Sequence, residues 1–252
     1  MSLVVVDFAA PVATITLNDP DRRNALSGDM FTCLEAAIDG VAHHENSVAL
    51  RLRGAGSAFC AGFDLGACVE RPGTLALFIR RLSIVNRKLR RLRQVVVAEV
   101  QGAALAGGCA MLSACDFVCV ASDAQLGYPV HRIGVSPAVS LPTLMQAVGG
   151  AARALTLSGD LVDGRRALAI GLATHCSDDA ESLPALVERL CSRLATKGPK
   201  ALAATKAWLN ELDGSNLNDP FQRTMEGSAD LCDGDECVRM LRAFWESRKR
   251  SA

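Results

Sequence analysis

The chain has 252 residues and a formal net charge of zero, because 27 Lys and Arg balance 27 Asp and Glu. This length suits one large domain or two small ones, and the 50% apolar content excludes a disordered chain. Zero net charge argues against a general binder of polyanions, and 9 Pro with 21 Gly exclude a collagen-like or low-complexity protein.

Strand and helix patterns alternate along the N-terminal half. The strands Leu3–Phe8 and Val12–Leu17 are predicted to pair as a hairpin across Ala9-Ala10-Pro11. Ser27 is a suitable N-cap for a helix that runs to about Ala42. The elements that follow are a strand at Val48–Leu52, a helix at Leu75–Leu92, a strand at Val95–Val100, a short helix at Ala106–Cys115 and a strand at Phe117–Ala121. This alternation predicts an α/β core.

Beyond about Pro142 the strand patterns fade and helical spacing takes over. Helices are predicted at Ala151–Leu157, Gly164–Ile170, Ser182–Ala195, Pro199–Leu212 and Pro220–Arg248. The last third is therefore predicted to be helical, and no change in composition marks a linker before it.

The ten cysteines are spread along the chain, which favours free thiols in a reducing compartment. No Cys-x-x-Cys pair occurs and no His lies near Cys115/Cys119 or Cys232/Cys237, so no metal site is predicted. The N-terminal segment 1–17 has no basic region and contains Asp7, so we expect no signal peptide and a cytoplasmic location. The longest uncharged stretch, 133–152, contains two prolines and three glycines, and we expect no membrane span.

Two runs of small residues leave the ends of buried strands. They are Ser57–Leu65, after the strand at 48–52, and Gly102–Ala110, after the strand at 95–100. Small residues let a ligand approach the backbone, and the second run opens a helix whose first N–H groups are unpaired. Two N–H groups directed at one point would form an oxyanion hole. The alternative is that the glycines serve only tight turns and close packing.

These runs and several other segments resemble motifs of the enoyl-CoA hydratase/isomerase (crotonase) superfamily. The matching segments are Asn18–Ser27, Ala58–Leu65, Val100–Ala110, Cys115-Asp116, Leu157–Leu172 and Ala243–Lys249. The resemblance implies an α/β fold with a crotonase-like ββα spiral core at 1–195 and a helical C-terminal trimerisation region at 196–252. It also implies a homotrimer or a dimer of trimers.

The resemblance further implies an acyl-CoA thioester as ligand, with coenzyme A present only as part of the substrate and no separate cofactor. The thioester oxygen would lie between the backbone N–H groups of Phe63 and Gly107. The residues implied in substrate binding are Arg22, Arg23, Ala25, Ala61, Asp64, Leu65, Ala106, Ala110 and Val130. Of these, Arg22, Arg23 and Ala25 would lie near the adenine and phosphate end.

The sequence departs from the family at the two positions that carry its catalytic glutamates. These positions are Ala110, three residues after the oxyanion glycine, and Val130 in the segment Gly127-Tyr-Pro-Val130. Hydration of an enoyl thioester needs two groups that move protons, and neither a methyl nor an isopropyl group can do so. Ordinary hydratase activity is therefore not expected.

Three functions remain open at this point. The chain is predicted to bind an acyl-CoA thioester and to stabilise its enolate in a backbone oxyanion hole. It could instead be an inactive acyl-CoA binding protein, or a decarboxylase or isomerase that uses a non-standard acid such as His131. Whether the protein is an enzyme stays open.

The candidate substitutes for the glutamates are few. His131 follows the vacated position and has a suitable reference pKa, but neighbours in an extended segment point to opposite faces. Tyr128, the only tyrosine, is expected to pack, and Cys109 is expected to be a buried thiol without a neighbouring base.

A run of basic residues lies on the helix predicted at Leu75–Leu92 and just beyond its end. The run comprises Arg80, Arg81, Arg87, Lys88, Arg90, Arg91 and Arg93. A solvated helix face is the commonest explanation of such a run, and a rim for CoA phosphates is a second one. Binding of nucleic acid is a third and is not expected.

Overall fold

The computed structural model describes residues 2–251, which form two β-sheets surrounded by helices. The strands are β1 (Val4–Asp7), β2 (Val12–Leu17), β3 (Ala49–Gly54), β4 (Ala58–Cys60), β5 (Val95–Val100), β6 (Ala103–Leu105), β7 (Phe117–Ala121), β8 (Leu126–Gly127), β9 (Leu161–Val162) and β10 (His175–Ser177). The helices are α1 (Gly28–His43), α2 (Leu65–Glu70), α3 (Thr74–Arg91), α4 (Gly107–Ser113), α5 (Leu141–Val148), α6 (Ala151–Ser158), α7 (Gly164–Ala169), α8 (Leu183–Ala195), α9 (Pro199–Leu212), α10 (Asp219–Cys232) and α11 (Asp235–Ser251).

The larger sheet has the strand order β1-β2-β3-β5-β7-β10. Only the β1–β2 pair is antiparallel, which confirms the predicted hairpin, and the other pairs are parallel. Every residue of β5 is buried, as expected for a parallel strand covered on both faces. In β2 the buried side chains Ala13, Ile15 and Leu17 alternate with partly exposed ones.

The smaller sheet has the order β4-β6-β8-β9 and lies where the two small-residue runs were found. Strands β4 and β6 pair in parallel, so each run contains a short strand that the sequence patterns did not predict. These strands were not predicted because three residues are too few to show a period. Strands β8, β9 and β10 were missed for the same reason.

Helix α1 begins where the capping residue predicts. The Ser27 hydroxyl accepts a hydrogen bond from the Met30 N–H at 3.1 Å. The buried side chains Met30, Leu34, Ile38 and Val41 form one apolar stripe, so the helix packs on the sheet along a single face.

The predicted single helix Pro220–Arg248 is wrong, because the chain forms α10 and α11 with Asp233 and Gly234 between them. Glycine costs about 1 kcal/mol in a helix interior, which favours a break at this point. Helix α10 packs along α3, whereas α11 turns back onto α2 and the turn at 131–133. The break therefore decides which surface the last helix covers.

Basic residues of α3 bind acceptors within the chain. The Arg81 Nε atom lies 2.8 Å from Glu35 Oε1, and the Lys88 Nζ atom lies 2.6 Å from Asp39 Oδ2, both on α1. On the other side, Arg90 pairs with Asp213, and the Arg91 Nε donates to the Ser215 carbonyl at 2.9 Å. Intrachain contacts thus account for much of the basic run without an external polyanion.

A buried ion pair attaches α9 to the main sheet. The Lys206 ammonium donates to Asp116 Oδ2 at 2.6 Å and to the Gln94 carbonyl at 2.9 Å, and Lys206 is only 6% exposed. Burial lowers the pKa of Lys206, and the Asp116 carboxylate opposes that change.

The predicted boundary at 195/196 falls in the short connection between α8 and α9. Within residues 2–251, no helix is both long and apolar enough to cross a membrane.

Candidate active site

A cavity of about 420 Å³ opens beside the smaller sheet. Its walls come from the small-residue runs, from α3, from the segment 128–140 and from α11. The lining residues are Arg22, Arg23, Ala25, Ala61, Phe63, Asp64, Leu65, Leu75, Ile79, Leu82, Leu105, Ala106, Gly107, Tyr128, Pro129, Val130, Arg132, Ile133, Val135, Ser136, Pro137, Val139, Ser140, Phe244, Trp245, Arg248 and Lys249. Ten of the twelve residues predicted for the site are among them, and Ala110 and His131 are not.

An isolated parallel bridge between Leu26 and Phe63 builds the first wall. The Leu26 N–H donates to the Gly62 carbonyl at 2.8 Å, and the Asp64 N–H donates to the Leu26 carbonyl at 3.2 Å. In a parallel ladder, the residue between two such bonds turns its own N–H to the opposite side. The Phe63 N–H accordingly has no hydrogen-bond partner within residues 2–251.

The second wall is the turn from β6 into α4. Ala106 adopts φ 50° and ψ −111°, a backbone conformation that a residue with a side chain rarely occupies. Its N–H donates to the Gly127 carbonyl at 2.8 Å, which holds the turn in place. Gly107 is the first residue of α4, so its N–H has no acceptor one turn earlier in the helix. Strain of this kind is often concentrated at functional sites.

The two walls approach each other as closely as their glycines allow. Gly62 has a φ of 94°, and a Cβ placed on it would lie 3.0 Å from the Leu105 carbonyl oxygen and 3.7 Å from the Gly107 nitrogen. A Cβ on Gly108 would collide with the Cys60 carbonyl. Glycine is therefore required at both positions to bring Phe63 and Gly107 side by side.

Positive charge surrounds the mouth of the cavity. The Arg22 guanidinium donates to Asp64 Oδ2 at 2.6 Å, and this hydrogen bond raises the pKa of Arg22. The other oxygen of Asp64, Oδ1, accepts from the Ala67 N–H at 3.3 Å and caps α2. Asp64 is the only acidic residue among the lining residues of the described chain, and both of its oxygens are engaged.

Helix α11 covers the mouth with two aromatic residues. The ring of Trp245 lies against Gly66, where a Cβ would be only 3.1 Å from the indole. The guanidinium of Arg132 lies 5.0 Å from the Phe244 ring centroid, and the ammonium of Lys249 lies 5.8 Å from that of Trp245. Both cations have the geometry of cation–π contacts, which hold them at the rim.

Ala110 and Val130, the positions where the resemblance implies glutamates, differ in their placement. Val130 lines the cavity at 8% exposure, whereas Ala110 is 1% exposed and lies within α4, behind the lining. The Ala110 N–H donates to the Ala106 carbonyl at 2.9 Å, so this residue stabilises the strained turn. The cavity therefore offers no free carboxylate within the described residues to accept a proton.

His131 lies outside the cavity lining and is exposed. The premise that this segment is extended is wrong, because Val130 has helical dihedrals (φ −95°, ψ −23°) and 131–133 form a 3₁₀ turn. The turn ends at Gly134, whose φ of 72° reverses the chain. It directs Arg132 and Ile133 to the cavity instead of His131.

A buried polar cluster around Tyr128, beside the cavity, was not predicted from the sequence. Tyr128 is 1% exposed, and its hydroxyl has no hydrogen-bond partner of good geometry within residues 2–251. Burial raises the pKa of Tyr128 well above its usual value, and Cys109 raises it further, whereas Ser140 and Ser113 lower it. Burial also raises the pKa of the Cys109 thiol to about 12, so Cys109 stays protonated. No sequence motif connects these residues, because they belong to separate elements.

Comparison with known proteins gives the family context. A model of the enoyl-CoA hydratase/isomerase family matches residues 7–251. A Thermus thermophilus protein named as a candidate enoyl-CoA hydratase is 35% identical over 243 residues, which is 94% of this chain and 95% of that protein. A Xenopus tropicalis ethylmalonyl-CoA decarboxylase is 31% identical over 168 residues, which is 65% of this chain and 56% of that protein.

Among solved structures, a similar one is an enoyl-CoA hydratase/isomerase from Xanthobacter autotrophicus Py2. It superposes with a TM-score of 0.88 at 29% identity and covers 99% of this chain and 93% of its own. The match extends over both sheets and the C-terminal helices.

Proposed function

Since the chain belongs to the enoyl-CoA hydratase/isomerase family, we propose that its cavity binds an acyl-CoA thioester. The thioester oxygen accepts hydrogen bonds from the Phe63 and Gly107 N–H groups. One observation carries this proposal: the two N–H groups lie on adjacent backbone segments, and neither has a partner within residues 2–251. Unpaired donors beside an apolar cavity suit an oxygen that gains negative charge.

The charged rim fits the coenzyme A end of such a ligand. Arg22, Arg23, Arg248 and Lys249 line the mouth, and guanidinium and ammonium groups are the usual partners of phosphates. Leu75, Ile79 and Leu82 of α3 also line the cavity, and their apolar side chains suit the acyl group. We therefore propose that the ligand lies with its phosphates at the rim and its acyl chain against α3.

Standard hydration is not part of the proposed function. Addition of water across a double bond needs a base for the water and an acid for the α-carbon. Ala110 and Val130 supply neither, and Asp64 is bound to Arg22 and to the α2 backbone. The remaining capacity of the site is to hold a thioester and to stabilise its enolate. The position of His131 outside the cavity lining does not favour it as the acid.

A homotrimer or a dimer of trimers is the proposed assembly. Large apolar side chains stand exposed on and next to the C-terminal helices, among them Trp208 (66%), Leu209 (59%), Leu212 (82%) and Leu217 (60%). A cluster of this kind favours burial against another copy of the chain. Sedimentation equilibrium tests this proposal, and a monomer at micromolar concentration would refute it.

The binding proposal is tested by calorimetry with butyryl-CoA, free coenzyme A and butyrate. We expect butyryl-CoA to bind more tightly than free coenzyme A, and butyrate not to bind. Hydration of crotonyl-CoA, isomerisation of a 3-enoyl-CoA and decarboxylation of a malonyl-type thioester are assayed in parallel. Absence of thioester binding refutes the proposal, and ordinary hydratase turnover refutes the role given to Ala110 and Val130.

A further inference from the structure

An open groove of about 540 Å³ lies between α1 and α3, away from the candidate active site. Its lining shares no residue with the active-site cavity. Its apolar lining residues are Ile38 and Ala42 of α1, Ile84 of α3 and Leu92 just beyond the end of α3. Ile84 is half-buried and Ala42 is exposed, so part of this apolar lining is accessible to a ligand.

The charge of this α1–α3 groove is unbalanced. Its cationic lining residues are Arg87, Lys88, Arg91 and Arg93, and Asp39 is the only acidic residue among the described residues that line it. The Lys88 Nζ atom lies 2.6 Å from each carboxylate oxygen of Asp39, so the one acid is already paired. The other three cations have no acidic partner within residues 2–251.

Two of these three cations are bound to neutral groups. The Arg91 Nε donates to the Ser215 carbonyl at 2.9 Å, and the Arg93 Nη2 donates to the His44 carbonyl at 2.9 Å. Burial lowers the pKa of Arg91, and the charge of Arg87 one helical turn away lowers it further. The guanidinium groups of Arg87 and Arg91 therefore repel each other, and an anion beside them would offset that repulsion.

Arg87 is the cation that remains available to a ligand. Its side chain makes no hydrogen bond or ion pair within residues 2–251. Its Nε atom is shielded from solvent, so the side chain lies along the protein, whereas its terminal nitrogens are not shielded in this way. A guanidinium can donate two parallel hydrogen bonds to a carboxylate or a phosphate.

We propose that the α1–α3 groove binds a small amphipathic organic anion, whose carboxylate or phosphate pairs with Arg87 and whose apolar part packs on Ile84 and Leu92. An ion pair at a surface contributes little by itself, and burial of a short apolar chain supplies the remaining affinity. The volume of the groove lies in the range of small-molecule sites. This site is separate from the acyl-CoA cavity and does not depend on the proposed function.

Methyl NMR of protein labelled at isoleucine tests this proposal, because Ile84 lines the groove whereas Ile79 and Ile133 line the active-site cavity. The ligands are octanoate, octyl phosphate, 1-octanol, acetate and inorganic phosphate. We expect octanoate, octyl phosphate or both to shift the Ile84 signal with a dissociation constant at least about tenfold lower than that of octanol, since only the anions pair with Arg87. Acetate and inorganic phosphate should bind more weakly than their octyl counterparts, because they lack the chain. The tighter octyl anion identifies the head group.

Two variants complete the test. Arg87→Gln should remove the preference for the anions over octanol. Arg80→Gln should keep it, because Arg80 is an exposed arginine of the same helix that does not line the groove. Unchanged ligand-free spectra of both variants show that the fold is retained. Equal affinity for octanol and the octyl anions, a preference that persists in Arg87→Gln, or shifts at Ile79 and Ile133 with none at Ile84 would each overturn the inference.

Discussion

Leu26 and Phe63 form a single parallel bridge that sets the direction of one cavity N–H. Leu26 is hydrogen-bonded to the Gly62 carbonyl and to the Asp64 N–H, which flank Phe63. The Phe63 N–H therefore faces away from that bridge. The neighbouring Gly107 opens α4, and its own N–H is unpaired within the described part of the chain. Two backbone donors thus lie beside a cavity in which Asp64 is the only acidic residue among the described lining residues.

Restoring a carboxylate should restore chemistry. Val130→Glu places a carboxylate in the cavity lining, at the position where the resemblance to the family implies a glutamate. Positioned general bases contribute about 10²–10⁴-fold in rate, so we expect crotonyl-CoA hydration at least about tenfold above the Val130→Gln variant. Val130→Gln is the matched control, because it has the same size without a base. Equal rates in the two variants would show that residue 130 does not face the reacting carbons.

The Lys206–Asp116 pair should contribute strongly to stability. Lys206→Met leaves the Asp116 carboxylate without its partner in a largely buried place, and we expect a loss of about 3 kcal/mol in the free energy of unfolding. Arg223→Met is the control, because the Arg223–Asp219 pair is about three-quarters exposed and should contribute less than about 1 kcal/mol. Urea denaturation measures both, and similar losses would contradict the buried role of Lys206.

Removal of the Tyr128 hydroxyl should not destabilise the unliganded protein. Tyr128→Phe deletes a buried hydroxyl that has no hydrogen-bond partner within residues 2–251, so the free energy of unfolding should stay the same or rise by up to about 1 kcal/mol. Thr156→Val deletes a hydroxyl that donates to the Ala152 carbonyl at 2.7 Å, and it should cost about 1 kcal/mol. A clear loss of stability in Tyr128→Phe would mean that this hydroxyl has a partner after all.

The ten cysteines should separate into two classes of reactivity. Burial raises the pKa of Cys60, Cys109 and Cys115 to about 12, so these thiols stay protonated and unreactive at pH 8. Only Cys33 and Cys176 are partly exposed, and a disulfide reagent should modify about two thiols rapidly in the native protein. Raising the pH to about 9.5 should not make Cys60, Cys109 or Cys115 reactive, since these three thiols titrate well above that value. Rapid modification that persists in a Cys33→Ser/Cys176→Ser variant would contradict this division.

Long, strongly patterned elements could be predicted from the sequence, whereas contacts between elements could not. The bounds of β5 and β7 agree with the prediction because continuous Val-rich runs bounded by polar residues mark buried strands. The start of α1 agrees because Ser27 caps it. Strand β8 has two residues, and its existence depends on pairing with β6 and β9.

At the site, the small-residue runs identified the two walls, because close backbone approach demands glycine at defined places. The direction of His131 was not predictable, since it depends on the turn that ends at Gly134. The cluster around Tyr128 was not predictable either, because Cys109 and Ser140 come to it from different elements. A sequence pattern within one segment does not show which side chains of other elements will contact it.

The central claim is that the Phe63 and Gly107 N–H groups hold a thioester oxygen, and the infrared spectrum of bound butyryl-CoA labelled with ¹³C at the carbonyl tests it most directly. Two hydrogen bonds should move the carbonyl stretch to a lower wavenumber than in water. A bound carbonyl that absorbs at or above its frequency in water would contradict the account.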